Sequence, residues 1–384
     1  MHIFIYLIIF FAFFDLFAQL PIMSPFAVGL GATPFIAGLA VGMYSLSNVA
    51  GNVISGIFAD RRGPFAILIF GLVSTGVILF SYHLADGPYS LLIIRFFHGL
   101  AAGFTVPAAF TFLANKTEQN RRGKGAAVSG AFVGLAAIIG PAFGAIYASR
   151  TSVPEMMGVT GTILLLLGAV SYFLLKKEPA KQESVHAPNI PFMVSIRNCG
   201  LSQAFIGAFF LMFSQGVLAY MLPLKIDALQ LPSEMSGLLL STFGIAAILV
   251  FLLPVNRLFD RVKPVYTLIA GFTCMALSLF LLSAVSLVAL MYIAMASYGI
   301  GFALLFPSIN SLLVDSTNPQ SRGRAYGYFY AFFSFGVVAG SSVTGALELS
   351  ANEGFILSGS LLLIIAALNG MVARRQNAVK KDGF

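Results

Sequence analysis

The stretch Gly56-Ile57-Phe58-Ala59-Asp60-Arg61-Arg62-Gly63-Pro64 decides the architecture, because a degenerate copy of it, Asp260-Arg261-Val262-Lys263-Pro264, returns in the second half of the chain. The offset that carries Asp60 to Asp260 and Pro64 to Pro264 also links Gly99 to Gly299, Pro107 to Pro307, Arg122-Gly123 to Arg322-Gly323 and Gly140 to Gly340. Each copy lies between two long apolar segments. A half-chain repeat in so apolar a sequence is the mark of a duplicated bundle of membrane helices, with a binding site where the repeats meet. Transport is therefore the leading functional class.

Composition points the same way. The 384 residues are 58% hydrophobic and 9% charged, whereas soluble domains carry about 25% charged residues. Roughly 20 apolar residues cross a bilayer core. On that scale we expect twelve spans, near 2–22, 36–58, 65–84, 89–113, 126–148, 157–175, 200–222, 234–256, 264–284, 287–313, 325–347 and 355–373. The predicted fold is an all-α membrane protein of twelve transmembrane helices in two pseudo-symmetric six-helix bundles. Its domains are an N-terminal bundle over 1–175, a cytoplasmic linker over 176–199 rich in Lys, Glu, Pro and Gln, and a C-terminal bundle with a short cytoplasmic tail over 200–384. The first apolar stretch starts at Ile3 without a basic leader and reads as a retained helix, not a signal peptide.

The net charge of +8 does not mark a nucleic-acid partner. With the N-terminus inside, all but Arg95, Arg150 and Lys225 of the 22 Lys and Arg residues fall on the cytoplasmic side. That is the positive-inside asymmetry, and it predicts both termini in the cytoplasm. Neither Cys199 nor Cys274 is placed for a disulfide or metal site. His2, His83, His98 and His186 are scattered, with no metal or nucleophile–base constellation. We expect no cofactor, no metal and no enzymatic activity; a sensor would want a sizeable output domain, and the longest loop is the central linker.

Three elements carry a resemblance to a known family. The quoted Gly56–Gly63 stretch resembles the loop signature of the major facilitator superfamily, with Gly56, an Ala59-Asp60-Arg61 core and Gly63 between the second and third spans. Gly63 permits a tight turn and Pro64 suits the first turn of the next helix. Arg95-Phe96-Phe97-His98-Gly99 resembles the family's helix-four motif, an arginine followed four residues later by glycine. Gly140-Pro141-Ala142-Phe143-Gly144-Ala145 resembles the helix-five element of its proton-coupled drug exporters and other antiporters, with Ala136 and Ala145 where that element has glycines. A proline inside a helix removes one backbone bond and kinks it, and flanking glycines let a neighbour approach. The resemblance implies a twelve-helix drug:proton antiporter in a bacterial plasma membrane. There Gly56, Asp60, Arg61 and Gly63 would latch the outward-facing state, and Gly140, Pro141 and Gly144 would shape the fifth helix.

Asp15 and Arg95 are the only Asp, Glu, Lys or Arg residues placed well inside the expected spans. An unpaired charge at the bilayer centre costs about 2.5–3.5 kcal/mol on insertion scales. Two uses fit them: an ion pair that pins two helices, or a proton-coupling couple in which pairing and burial compete over the state of Asp15. The resemblance, which puts both helices along the central cavity, favours coupling. His98 either relays protons or, more commonly for a lone intramembrane histidine, hydrogen-bonds a neighbouring helix. Gln19, His98, Gln203, Gln215, Tyr220, Tyr298 and Asn310 are the candidate contacts to cargo, since they put polar or aromatic groups on the family's cavity helices. The scarcity of cavity charge disfavours polyanionic substrates. The expected function is export of small amphipathic or drug-like compounds in exchange for protons, by a monomer with no partner besides lipid, cargo and protons. The alternative on the same fold is an exporter dedicated to one metabolite, such as a sugar, amino acid or siderophore.

Overall fold

The computed structural model describes residues 2–116, 122–175, 198–252, 262–317 and 322–382, and all regular structure among them is helical. The chain opens with α1 (His2–Ala18), breaks, and continues as α2 (Met23–Gly29) at an angle of 47°. The sequence predicted one unbroken span over 2–22. Pro21 has no N–H to continue the ladder, so the backbone turns through Gln19–Ile22 before re-forming a helix. Next come α3 (Pro34–Arg62) and α4 (Pro64–Phe80), separated by Gly63 alone. Gly63 sits at φ 82°, a conformation that side chains resist, and Pro64 opens α4 as expected from the motif. A 3-10 turn at Ser81–Leu84 leads into α5 (Pro88–Lys116), α6 (Arg122–Arg150) and α7 (Val153–Leu174). The Ser152 hydroxyl caps α7 by accepting the Glu155 N–H at 3.2 Å.

The second half supplies α8 (Cys199–Ala228), α9 (Glu234–Leu252), α10 (Pro264–Ala284), α11 (Val288–Asp315), α12 (Arg322–Ala346) and α13 (Ala351–Asp382). Almost nothing polar separates α10 from α11, yet the chain breaks there through extended Val285 and Leu287. Contacts divide the chain into two compact units. One holds Met1–Val185 with Leu222–Ser241 and Gly345–Glu348; the other holds His186–Met221, Thr242–Thr344 and Leu349–Phe384. The side chains of Gly56, Asp60 and Arg61, together with Asp260, Arg261 and the linker over 176–197, lie outside the described residues.

Among the described residues nine helices are long and apolar enough to cross a membrane, or ten if α1 and α2 form one bent span. α3 is long enough but carries a polar stripe. Asn48 Nδ2 donates to the Gly99 carbonyl at 3.1 Å, Asn52 to Asn48 at 2.8 Å and Ser55 to the Phe104 carbonyl at 3.0 Å. The stripe is spent on α5, which α3 packs along, as polar side chains in lipid-embedded helices usually are. The described apolar part of α9, Glu234–Val250, is short.

Small residues set the helix spacing, and they do so twice. A Cβ at Gly71 would strike Thr105 of α5, and one at Gly271 would strike Gly301 and Leu305 of α11. Gly99 abuts the Tyr44 carbonyl of α3, and Gly299 the Phe243 carbonyl of α9. Gly140 lies on Phe17 of α1, and Gly340 on Phe213 of α8. The sequence repeat is thus a repeat of close backbone approaches, the form helix association takes where lipid removes the hydrophobic drive.

Gly144 is the tightest case in α6, since an added methyl would overlap the Ala18 carbonyl at the end of α1. Gly144→Ala is expected to push α1 off α6 and destabilise the protein by about 1–3 kcal/mol. Gly130→Ala, in the same helix with open space around it, is expected to be neutral or to stabilise slightly. Melting temperatures of the two purified variants in one detergent check the contrast; equal values would mean the α1–α6 contact yields freely.

Candidate functional site

The break after α1 brings its last turn against α5. Asp15, Gln19, Arg95 and His98 are each at most 3% exposed, and they converge in the first compact unit. Asp15 and Arg95 do not meet directly, as the sequence had suggested. The His98 ring binds the carboxylate instead, with Nε2 3.0 Å from Asp15 Oδ2. The other ring nitrogen, Nδ1, lies 2.9 Å from the Tyr82 hydroxyl. Tyr82 is fully buried and comes from the 3-10 turn that ends α4. Asp15 Oδ1 has no hydrogen-bond partner among the described residues.

Arg95 is held elsewhere, and its guanidinium fork explains how. Nε donates to the Ala40 carbonyl at 2.7 Å and Nη2 to the Val41 carbonyl at 3.0 Å, both on α3. Nη1 donates to Gln19 Oε1, and Gln19 Nε2 donates to the Asp15 backbone carbonyl at 3.1 Å. The guanidinium carbon also stands 5.2 Å from the centre of the Tyr44 ring, within cation–π range. Arg95 therefore ties α5 to α3 and, through Gln19, to the C-terminal end of α1, where unpaired carbonyls concentrate negative potential. Tyr44 closes the other side, its ring edge-on to His98 with centroids 4.9 Å apart. The result is a fixed cation beside a carboxylate–imidazole–phenol chain, sealed from solvent and lipid.

Gly140 and Gly144 of α6 pack on Phe17 and Ala18, one turn from Asp15, so the helix-five element positions the acid's helix. Pro141 lies inside α6 and leaves the carbonyl one turn earlier without its usual donor. One residue along, the Ile138 carbonyl accepts the Ser241 hydroxyl at 2.6 Å, and Gly237 lies against the Pro141 carbonyl, all within the same compact unit.

Two of the expected cargo contacts, Gln19 and His98, are members of this cluster, with their polar atoms engaged by protein. The others lie on helices of the second half. Gln203 donates to Asn369 Oδ1 at 3.0 Å, and the Tyr298 hydroxyl pairs with Ser214 at 2.6 Å. Tyr220 is buried, while Gln215 and Asn310 are half-buried. In the aromatic run of α12, Phe332 stacks on Phe205 of α8 at 5.4 Å, which is packing.

The half-chain offset makes the cluster stand out. It carries Asp15 to Gln215, Tyr82 to Leu282, Arg95 to Met295 and His98 to Tyr298. Every ionisable member of the first-half site thus has a neutral or scarcely acidic residue at the matching sequence position, on helices whose close approaches are otherwise alike. Tyr82 and Tyr44 were not singled out from the sequence. The one available signal was Tyr82 beside a loop, where tyrosine is ordinary.

Comparison with known proteins identifies the scaffold. The Major Facilitator Superfamily model matches residues 5–197 and 204–383. The chain belongs to the major facilitator superfamily. It is accordingly a multi-pass membrane transporter and not an enzyme. Multidrug resistance protein MdtG of Escherichia coli O9:H4 (strain HS) is 26% identical over 351 residues, covering 88% of this chain and 84% of that protein. MdtG of Escherichia fergusonii is 26% identical over 380 residues, covering 94% and 91%. Among solved structures, a bacterial homologue of the human lysosomal transporter Spinster, inward-facing and unoccupied, superposes with a TM-score of 0.80 at 13% identity, covering 97% of this chain and 96% of that one. The nucleoside transporter NupG gives 0.79 at 13% identity, covering 96% and 98%. These likenesses concern the fold.

Arg95→Lys keeps the charge but loses the fork that reaches two carbonyls and Gln19 together. We expect it to lower stability by on the order of 2 kcal/mol, the scale of one or two lost charge-assisted hydrogen bonds. Thermal unfolding beside Arg95→Met, which removes both charge and bonds, checks this; a lysine variant as stable as wild type would show that position, not fork geometry, holds α3 to α5.

Proposed function

We propose that this transporter exports small amphipathic, drug-like compounds in exchange for protons, with Asp15 as the proton-carrying group and Arg95 as its fixed counter-charge. The observation that carries the reading is the buried cluster of ionisable groups in the first unit of a chain whose relatives include proteins named for multidrug resistance. Burying a carboxylate, an imidazole and a guanidinium together is costly, and hydrophobic side chains of similar size would fill the space more cheaply. A coupled transporter has a use for that cost, because it needs one site whose charge state differs between its two conformations.

In this reading the protein has twelve spans, with α3 and α9 crossing beside the helices that meet the length and apolarity criteria, and α1 with α2 as one bent span. Its two six-helix halves alternate access to opposite faces of a bacterial plasma membrane, with both termini in the cytoplasm. A proton arriving from outside neutralises Asp15, and the neutral site favours return to the inward-open form. Cargo bound from inside then favours proton release. One charge moving through 100 mV supplies about 2.3 kcal/mol, so a single proton per cycle sustains an appreciable gradient. Gln215, Tyr220, Tyr298 and Asn310, with Gln203 behind them, are the polar groups we assign to the cargo side. Their neutrality suits uncharged or singly cationic amphipathic molecules and not polyanions.

Reconstituted vesicles loaded with ethidium under an imposed pH gradient test the reading. Wild type is expected to move the dye uphill and Asp15→Asn to lose gradient-driven movement entirely. Undiminished uphill movement in that variant would take Asp15 out of the coupling.

A further inference from the structure

The geometry points to a proton relay in which Tyr82 admits the proton, His98 passes it on and Asp15 stores it. The relay rests on the proton-coupled reading above and specifies its route. Three observations carry it. The Tyr82 hydroxyl, the two His98 nitrogens and Asp15 Oδ2 form one unbroken chain with links of 2.9 and 3.0 Å. All three residues are at most 2% exposed, so a proton passing between Tyr82 and Asp15 moves through the side chains and not through bulk water. And its two ends are on different elements: Asp15 near the end of α1, Tyr82 in the Ser81–Leu84 turn that joins α4 to α5. In the topology of the reading above, with both termini cytoplasmic, that turn lies on the outer side.

The proton count closes without another reactant. Before loading, the Tyr82 hydroxyl donates to His98 Nδ1, and the Nε2–H of the neutral ring donates to the Asp15 carboxylate. A proton reaching the Tyr82 oxygen displaces the hydroxyl proton onto Nδ1. The ring then releases its Nε2 proton to Oδ2. The products are a neutral carboxylic acid, a neutral imidazole protonated on Nδ1 and an intact phenol, with one proton gained in all. The stored proton now donates from Asp15 to Nε2, while Nδ1–H donates to Tyr82. Each passage thus inverts the tautomer, and the ring must give the proton back or re-tautomerise before a second can follow. Asp15 Oδ1, left without a partner, is the free oxygen through which release need not retrace the path.

The neighbours of the chain fit this division of labour. Arg95 faces Asp15 and Tyr82 from α5 and hydrogen-bonds the Tyr82 hydroxyl; three further donors go to Ala40, Val41 and Gln19, and guanidinium does not give up a proton in proteins. Tyr44, from α3, packs edge-on against the imidazole and holds its plane. α6 meets this part of α1 with Gly140, Gly144 and Phe143. Among the described residues, the ionisable side chains of α6 and α7 are engaged or placed elsewhere: Tyr147 stacks on Phe143, Glu155 pairs with His83 at 3.6 Å, Tyr172 meets Phe65, and Arg150 ends α6. The second half has Leu282, Tyr298 and Gln215 at the matching places, so the phenol–imidazole–carboxylate chain has no copy there.

The test is a downward pH jump on the purified full-length protein, followed by time-resolved infrared spectroscopy. The protonated-carboxyl stretch that Asp15→Asn removes reports loading. Tyr82→Phe keeps the ring that lies edge-on to His98 at 5.7 Å and deletes only the hydroxyl. It is expected to reach the wild-type amplitude at least about tenfold more slowly, the low end of what a positioned proton-transfer group contributes. His98→Gln is expected to be slower still and to lose the imidazole tautomer bands that accompany loading in wild type. Loading of Tyr82→Phe at the wild-type rate would overturn the relay, as would a lost amplitude in that variant, which would make the hydroxyl a structural strut. The readout needs no cargo, so a protein that loads through this chain yet moves no ethidium sinks the export reading and spares the relay. One that exports while Tyr82→Phe loads normally does the reverse.

Discussion

The rest of the structure depends on the requirement that a carboxylate buried in α1 be partnered without water. His98 meets that requirement on α5, and once it does, α1 and α5 have a fixed phase relative to each other. Arg95, one turn away on the same helix, is then directed past the carboxylate toward α3, where two backbone carbonyls and the Gln19 side chain take its donors. A buried arginine needs acceptors of this kind, because each unsatisfied donor costs on the order of a kcal/mol or more. Three helices are thereby bound through one polar centre. The charges that would make a membrane protein expensive to build are the ones that register its helices.

Around that centre the packing is carried by backbone proximity. Gly144 against Ala18, Gly99 against Tyr44 and Gly71 against Thr105 bring helix axes close enough that side-chain methyls would collide. Such contacts are narrow in what they tolerate, and they recur in the second half at Gly271, Gly299 and Gly340. Duplication has therefore preserved the means of holding helices together while letting the chemistry diverge. One half keeps Asp15, Arg95 and His98; the other has Gln215, Met295 and Tyr298 at the matching places. A second set of buried charges would add desolvation cost at the matching places.

Much of this was legible before any coordinates. The all-helical class, the repeat, the Gly63–Pro64 corner and the helix ends near prolines follow from composition, periodicity and turn chemistry, which act locally. Asp15, Gln19, Arg95 and His98 were all recognisable as polar groups in apolar surroundings. What was not legible was who binds whom. The expected Asp15–Arg95 couple rested on opposite charge and on a resemblance that puts both helices along one cavity, and neither says that Gln19 links them or that the imidazole is the carboxylate's partner. The break at Gln19–Ile22 was also missed, since an apolar run through Pro21 reads as continuous until the missing N–H is weighed against the bend it allows.

Membrane class, family and the inventory of buried polar residues are therefore properties of the chain as a string, because hydropathy, motif spacing and helix-breaking residues need no partner to take effect. The identity of the couple, the entry of Tyr82 from a loop turn and the commitment of Arg95 to the carbonyls of Ala40 and Val41 belong to the folded molecule. They depend on the rotation of each helix about its axis and on the bend after Ala18. Those angles are set by close glycine contacts between segments far apart in sequence, which no local pattern encodes.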